Sequence, residues 1–268
     1  MALAPWEKPW VVRAALLSIE RQSHKPLELI ISTDGPPTEE LRSTISETQI
    51  PLVLIEGPGG EGAGPVLQRG LEACKTELVV RADADDINHD NRCERLIRAI
   101  QNEPDLAVLG SNITEFTQDC PEGQIKTLCI RAVPVGRNAV RRFSRWRNPM
   151  NHQSTVMRRT MVMAVGGYRS ARGFEDYDLW LRLLANKYEL DNISTSLVLA
   201  RVEKDHRIRR LGFAYIELEY QFGMQCLKEG LMQPWMAVLW LMMRLPTRLL
   251  SMNSFEWLLQ RVARNQFR

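Results

Sequence analysis

The residues with chemistry in them are acidic. Residues 81–86 read RADADD, directly after the apolar run ELVV. If the chain leaves a strand still extended, Asp83 and Asp85 point to one side, because side chains alternate with period 2. Two carboxylates at a strand's carboxyl end suit a hard divalent cation. Mg²⁺ or Mn²⁺ typically takes one or two carboxylates and completes its shell with phosphate oxygens and water. Such an ion neutralises a diphosphate and makes it a better leaving group. The plainer reading is a solvated acidic turn before a helix starting near Asn91, with Asp90 as its cap.

A second cluster, GFEDYDL, spans residues 173–179 at the start of a helical pattern. Carboxylates in a first helical turn gain about 0.3–1 kcal/mol from the macrodipole, which explains Glu175, Asp176 and Asp178 together. The functional alternative is that one of them takes a proton from an attacking hydroxyl as general base. Gly166 and Gly167, just upstream in VGGYR, would give a loop freedom to present it. Asp34 ends the run 30–33 and opens the turn DGPP. Turn formation alone explains it; the alternative is a hydrogen bond to a nucleobase. The glycine-rich stretch GPGGEGAG (57–64) precedes a helix, but it has neither a Walker lysine nor the GxGxxG register.

Elements that could hold these groups alternate along the first two thirds. Residues 27–32, 51–55, 77–81 and 106–109 are short, rich in Ile, Leu and Val, and bounded by Pro, Gly or Asp, which predicts strands. Val12, Ala15, Leu16 and Ile19 fall on one helical face, as do Leu67, Gly70, Leu71 and Cys74, then Cys93, Leu96, Ile97 and Ile100. Tyr177, Trp180, Leu181 and Leu184 repeat the spacing. Residues 119–135 read as a loop or hairpin, 196–201 as a strand and 207–229 as a long helix. The pattern predicts an α/β fold with a mostly parallel sheet, covered on both faces. Ligands of such sheets bind beyond the carboxyl ends of the strands.

Composition sets outer limits. The chain has 268 residues, 44% hydrophobic and 25% charged, with a net charge of +3. That is globular composition, and too mildly basic to indicate a nucleic-acid binder. Five cysteines without a CxxC fit neither a disulfide framework nor a zinc site, and read as reduced core thiols of a cytoplasmic protein. No signal peptide and no apolar run of membrane-spanning length is evident.

In order along the chain, AALLSIERQS, ELIISTDGP, EGAGPVLQRGLEAC, ELVVRADADDINHDNR, LGSNITEF, NPMNHQSTVMRR, VGGYR with GFEDYDLWLRL, and LVLARVEKDHRIRR resemble a bacterial family 2 glycosyltransferase of the GT-A fold. The resemblance runs from about Pro9 to Arg210. It implies an inverting transfer from a nucleotide-sugar donor to a hydroxyl on a glycan or lipid-linked acceptor, supported by Mn²⁺ or Mg²⁺, in surface polysaccharide biosynthesis. By it, Asp34 binds the base, Asp83 and Asp85 occupy the metal motif with Asp85 as the chief ligand, and Asp176 is the general base. Glu175 would orient the base or the acceptor, and His152 and Arg201 would line the diphosphate or acceptor pocket. Gly60 and Gln68 stand where the family usually has asparagine. Its first strand normally runs several residues before the position of Leu3, so either the start of the sequence is set late or that strand is missing; a lost strand would expose hydrogen-bonding edges and weaken the core.

The resemblance places a catalytic domain at residues 1–205 and a helical extension at 206–268. Arg137, Arg141, Arg142, Arg145 and Arg147 surround Phe143 and Trp146, and Trp235, Trp240 and Trp257 lie among Leu and Met. These patterns suit a solvated face and a core or dimer helix, or else peripheral contact with the inner face of the cell membrane. Two other readings are a sugar nucleotidyltransferase, whose basic glycine-rich signature is absent, and a degenerate membrane-associated relative.

Overall fold

The computed structural model describes residues 1–202 and 212–248, without the side chains of 245–247. Its first sheet is built from strand–helix units. β1 (Ala2–Leu3), β2 (Leu29–Thr33) and β3 (Leu52–Glu56) run parallel in that order. The crossovers are α1 (Pro9–Glu20) and α2 (Glu39–Ser46). Pro9 opens α1, where a missing N–H is harmless, and Val12, Leu16 and Ile19 pack with Leu3, Ile31 and Leu41. Apolar spacing did not single out α2. It buries only Leu41, Thr44 and Ile45, and its start is fixed by a polar contact, the Leu41 N–H donating to Thr38 Oγ1 at 3.3 Å.

β1 is short but present. Ala2 and Leu3 pair with Ser32 and Thr33, and Ala2 also bridges to Asp83 on its other side. The Met1 ammonium donates to the Ile30 carbonyl at 2.7 Å, and burial beside Arg81 pushes its pKa down to about 5. These residues therefore link the first sheet to the acidic turn.

The second sheet contains β4 (Leu78–Val80), β5 (Ile87–Asn88), β6 (Leu106–Thr117), β7 (Lys126–Arg131), β8 (Val156–Arg158) and β9 (Glu189–Arg201). Its order is β4-β8-β6-β9-β5, with β7 also on β6. β6 and β9 are parallel; the other pairs are antiparallel. The stretch expected to be a loop or hairpin is the β6–β7 hairpin, antiparallel because a short return allows nothing else. The helices are α3 (Ala63–Ala73), α4 (Arg92–Gln101), α5 (Arg137–Phe143), α6 (Arg159–Ala164) and α7 (Glu175–Ala185), with a 3₁₀ turn at His152–Ser154.

α7 is gripped from two sides. Leu179, Trp180, Leu183 and Leu184 enter the central core, while Tyr177 and Leu181 meet α8 (Phe213–Lys228) and α9 (Pro234–Arg248). Phe222 of α8 stacks on Phe174 at 4.5 Å, and Trp240 of α9 closes the cluster. Trp240 is fully buried. It is a core residue, because α9 turns it toward Phe174 and Phe222. Glu219 is buried as well and binds Arg244 and Arg248 at 2.9 and 2.7 Å. Residues 207–211 of the expected long helix, the domain boundary near 205 and Trp257 lie outside the described residues. Among the described residues no helix is long and apolar enough to cross a membrane. The cysteines are free thiols, Cys93 and Cys226 buried and Cys120 exposed.

Candidate active site

Beyond β4 the chain runs on to Asp83, which bridges to Ala2, and burial alternates along residues 81–85 as expected. Ala82 and Ala84 sink into the core with Leu3, while Asp83 and Asp85 stay more open. A turn at 84–85 then brings the next residue round, so that oxygens of Asp83, Asp85 and Asp86 lie within 4.8 Å of one another. Asp86 was not singled out from sequence, because strict alternation puts it on the far side. It is buried, with Oδ1 accepting the Arg201 N–H at 2.9 Å and Oδ2 lacking any hydrogen-bond partner.

The crowding has an electrostatic cost. Burial, then the charges of Asp83 and Glu7, push Asp85 up to about 7. Burial and the neighbouring Asp85 and Asp83 charges raise Asp86 well above the carboxylate range. Arg81 pairs with Asp83 at 2.5 Å. A hard oxygen-donor set containing an orphaned buried oxygen fits a divalent cation, which would supply the missing positive charge.

Arg201 supports this turn from below. Its guanidinium lies between the rings of Trp10 and Phe116, 4.9 and 4.7 Å from their centroids, and its Nε donates to the Asp85 carbonyl at 3.1 Å.

At the start of α7 the three acids separate into different jobs. Asp176 Oδ2 accepts from Asn148 Nδ2 at 2.5 Å, and Oδ1 accepts from the Tyr177 N–H at 2.7 Å. Each oxygen keeps a lone pair for a proton. Glu175 accepts the Gly173 N–H at 3.1 Å, and burial raises its pKa. Asp178 is fully buried and pairs with Arg169 at 2.6 Å and Arg182 at 2.8 Å. Arg182 also donates to the Gly167 carbonyl at 2.6 Å, which ties the VGGYR loop to α7. Asp178 is therefore structural. Asp178→Ala leaves two guanidinium groups facing an empty site, which should cost about 3–5 kcal/mol. At roughly 2–4 °C per kcal/mol, a melting scan should show a fall of about 10 °C.

Asn148 was also missed, although it lies in the quoted NPMNHQ segment; a lone asparagine in a loop carries no periodic signal. Because it aims Asp176, Asn148→Ala should lower kcat by up to about 10²-fold, with KM for the donor unchanged. Steady-state rates separate the two parameters.

Asp34 accepts the Glu61 and Gly62 N–H groups at 2.9 and 3.2 Å, holding the glycine-rich loop at the start of α3. His152 Nε2 meets the Tyr168 hydroxyl at 2.7 Å. Burial, aided by Arg81, pushes the imidazole down to about 4, so it is neutral near pH 7. Gln68 accepts the Tyr168 N–H at 2.8 Å. Gly167 (φ +59°) passes so close that a Cβ there would fall 2.0 Å from Gln68 Oε1. The left-handed backbone favours glycine there, and any side chain would also push the Gln68 amide off the Tyr168 N–H.

The mixed α/β architecture is the GT-A fold, which its structural neighbours share. The chain belongs to glycosyl transferase family 2, whose family model matches residues 8–165, and it is an enzyme, a glycosyltransferase. It is 29% identical over 260 residues to the amylovoran biosynthesis glycosyltransferase AmsE of Erwinia amylovora, covering 95% of this chain and 94% of that one. It is 36% identical over 228 residues to an Escherichia coli protein, UDP-Gal:alpha-D-GlcNAc-diphosphoundecaprenol beta-1,3-galactosyltransferase (83% and 81% covered). Among solved structures, it superposes on the mannosyltransferase PcManGT of Pyrobaculum calidifontis, in complex with GDP-Man and Mn²⁺, with a TM-score of 0.62 at 17% identity. That match covers 85% of this chain and 63% of the other.

Proposed function

We propose that this glycosyltransferase moves a sugar from a nucleotide-diphosphate sugar to a hydroxyl of a glycan or lipid-linked acceptor, with inversion, in surface polysaccharide biosynthesis. The observation that carries the reading is the acidic turn past β4, where oxygens of Asp83, Asp85 and Asp86 lie within 4.8 Å of one another and one buried Asp86 oxygen has no hydrogen-bond partner. Residues 1–205 serve as the catalytic domain and 206–268 as a helical extension. The relatives' printed roles, in amylovoran synthesis and on a diphosphoundecaprenol substrate, support the acceptor class, and with such an acceptor the enzyme would work at the inner face of the cell membrane.

Asp34 would receive the base beside the loop it organises. Asp83 and Asp85, with Asp86 behind them, would hold Mn²⁺ or Mg²⁺, and the bound ion offsets charge on the diphosphate. Asp176, aimed by Asn148, takes the proton of the acceptor hydroxyl. The acceptor oxygen then forms its bond to the anomeric carbon as the bond to the diphosphate oxygen breaks. A single displacement of this kind inverts that carbon. Glu175 keeps the Gly173 turn in place beside the base, Arg201 fixes Asp85, and neutral His152 offers the pocket a hydrogen-bonding ring without charge.

The test is a panel of nucleotide sugars assayed with Mn²⁺ for donor hydrolysis and for thermal stabilisation. A donor that stabilises the protein and is cleaved supports the reading. A protein that no nucleotide sugar stabilises or reacts with would overturn it.

A further inference from the structure

We propose that the outer face of α9, together with the basic turn after α5, docks the enzyme on an anionic lipid surface. Trp235, Val238, Leu239, Met242 and Met243 recur at i, i+3, i+4, i+7 and i+8 and are all exposed, Trp235 by 62% and Met242 by 64%. The opposite face, with Met236, Ala237 and Trp240, is buried. The helix is thus apolar on both sides, and among the described residues only one side has protein against it. An exposed apolar stripe of this kind marks an interaction surface. At 1.5 Å per residue its 15 residues reach about 22 Å, against ~30 Å of hydrocarbon, so the helix is suited to lie on a bilayer rather than span it.

The charge beside the stripe indicates what covers it. The Trp146 ring contacts Trp235 at 6.2 Å, and Arg244 donates to the Trp146 carbonyl at 3.4 Å, so the turn after α5 adjoins α9. Arg142 in the last turn of α5 and Arg145 and Arg147 after it are exposed, and Arg142 and Arg145 have no ion pair among the described residues. Arg137 and Arg141 further back are neutralised by Glu103, Asp105 and Glu189. Among these five arginines, those without an ion pair to a described residue therefore lie at the end next to the apolar stripe. Apolar side chains flanked by free cations match acyl chains beneath anionic headgroups. A second copy on this face would add its own unneutralised arginines. The basic turn runs directly into Asn148, which aims Asp176, so docking would bring the base's end of the site toward the lipid.

The surface is built from side chains outside the reacting groups, so lipid binding and sugar transfer can fail separately. The full chain should pellet with phosphatidylcholine vesicles containing phosphatidylglycerol, and much less with phosphatidylcholine alone. At about fivefold in partitioning per basic residue, the triple variant Arg142→Gln, Arg145→Gln, Arg147→Gln should bind roughly a hundredfold more weakly. Val238→Asp should also abolish pelleting; both variants should keep the wild-type melting temperature and donor hydrolysis. The proposal is overturned if the wild type does not prefer anionic vesicles, or if both variants bind as it does. It is equally overturned if light scattering shows a dimer that Val238→Asp dissociates.

Discussion

Asp176→Asn is expected to slow transfer by about 10²–10⁴-fold, the range of a lost general base, while leaving donor binding intact. Asparagine has the shape of aspartate, and its side-chain oxygen can still accept from Asn148 Nδ2. The buried flanks of α7, Tyr177 and Trp180, are untouched. What disappears is the site that receives a proton. Initial rates with saturating donor, set beside the donor-induced melting shift, separate chemistry from binding. A variant that transferred at the wild-type rate would remove Asp176 from the base role. Glu175→Gln is the internal comparison: Glu175 holds the Gly173 N–H, which an amide oxygen also can, so its loss should be much milder.

The residues legible in the sequence were those with a period or a motif. Asp83 and Asp85 could be grouped by period-2 alternation past β4, and Ala82 and Ala84 are buried between them and their neighbours although the backbone already turns at 84–85. Asp86 was hidden by the same rule, since only the turn at 84–85 brings it to the other carboxylates. In EDYD, helical position explained three acids alike, yet tertiary partners divide them: Asn148 lies 28 residues from Asp176, whereas Asp178 is claimed by Arg169 and Arg182. No local pattern announces such pairings. The same holds for β1, whose two residues carry no strand signal and take their conformation from Ser32, Thr33 and Asp83. Trp240 was ambiguous because an apolar helix with arginines reads alike whether it faces lipid or core. Glu219, buried and bound to Arg244 and Arg248, belongs to the core side.

The acidic turn makes a prediction of opposite sign for stability and for activity. Without a cation, folded Asp85 holds its proton up to about pH 7, whereas the usual carboxyl value is 3.8. The folded state binds more protons across that window, so stability falls as pH rises from about 4 to about 7. Asp85→Asn removes one of the crowded charges and keeps the side chain's shape. The variant should therefore melt a few degrees higher than wild type in chelator at pH 8, at about 2–4 °C per kcal/mol. Mn²⁺ should reverse the order. At a hundredfold excess over its dissociation constant, a cation stabilises the wild type by about 2.7 kcal/mol, and the variant, short of its central ligand, should gain little and lose transfer. Because the variant is the more stable protein in chelator, lost activity could not be ascribed to unfolding. A variant that melted lower than wild type without metal, or kept the full Mn²⁺ shift, would show that the carboxylates of this turn are not crowded around a cation site.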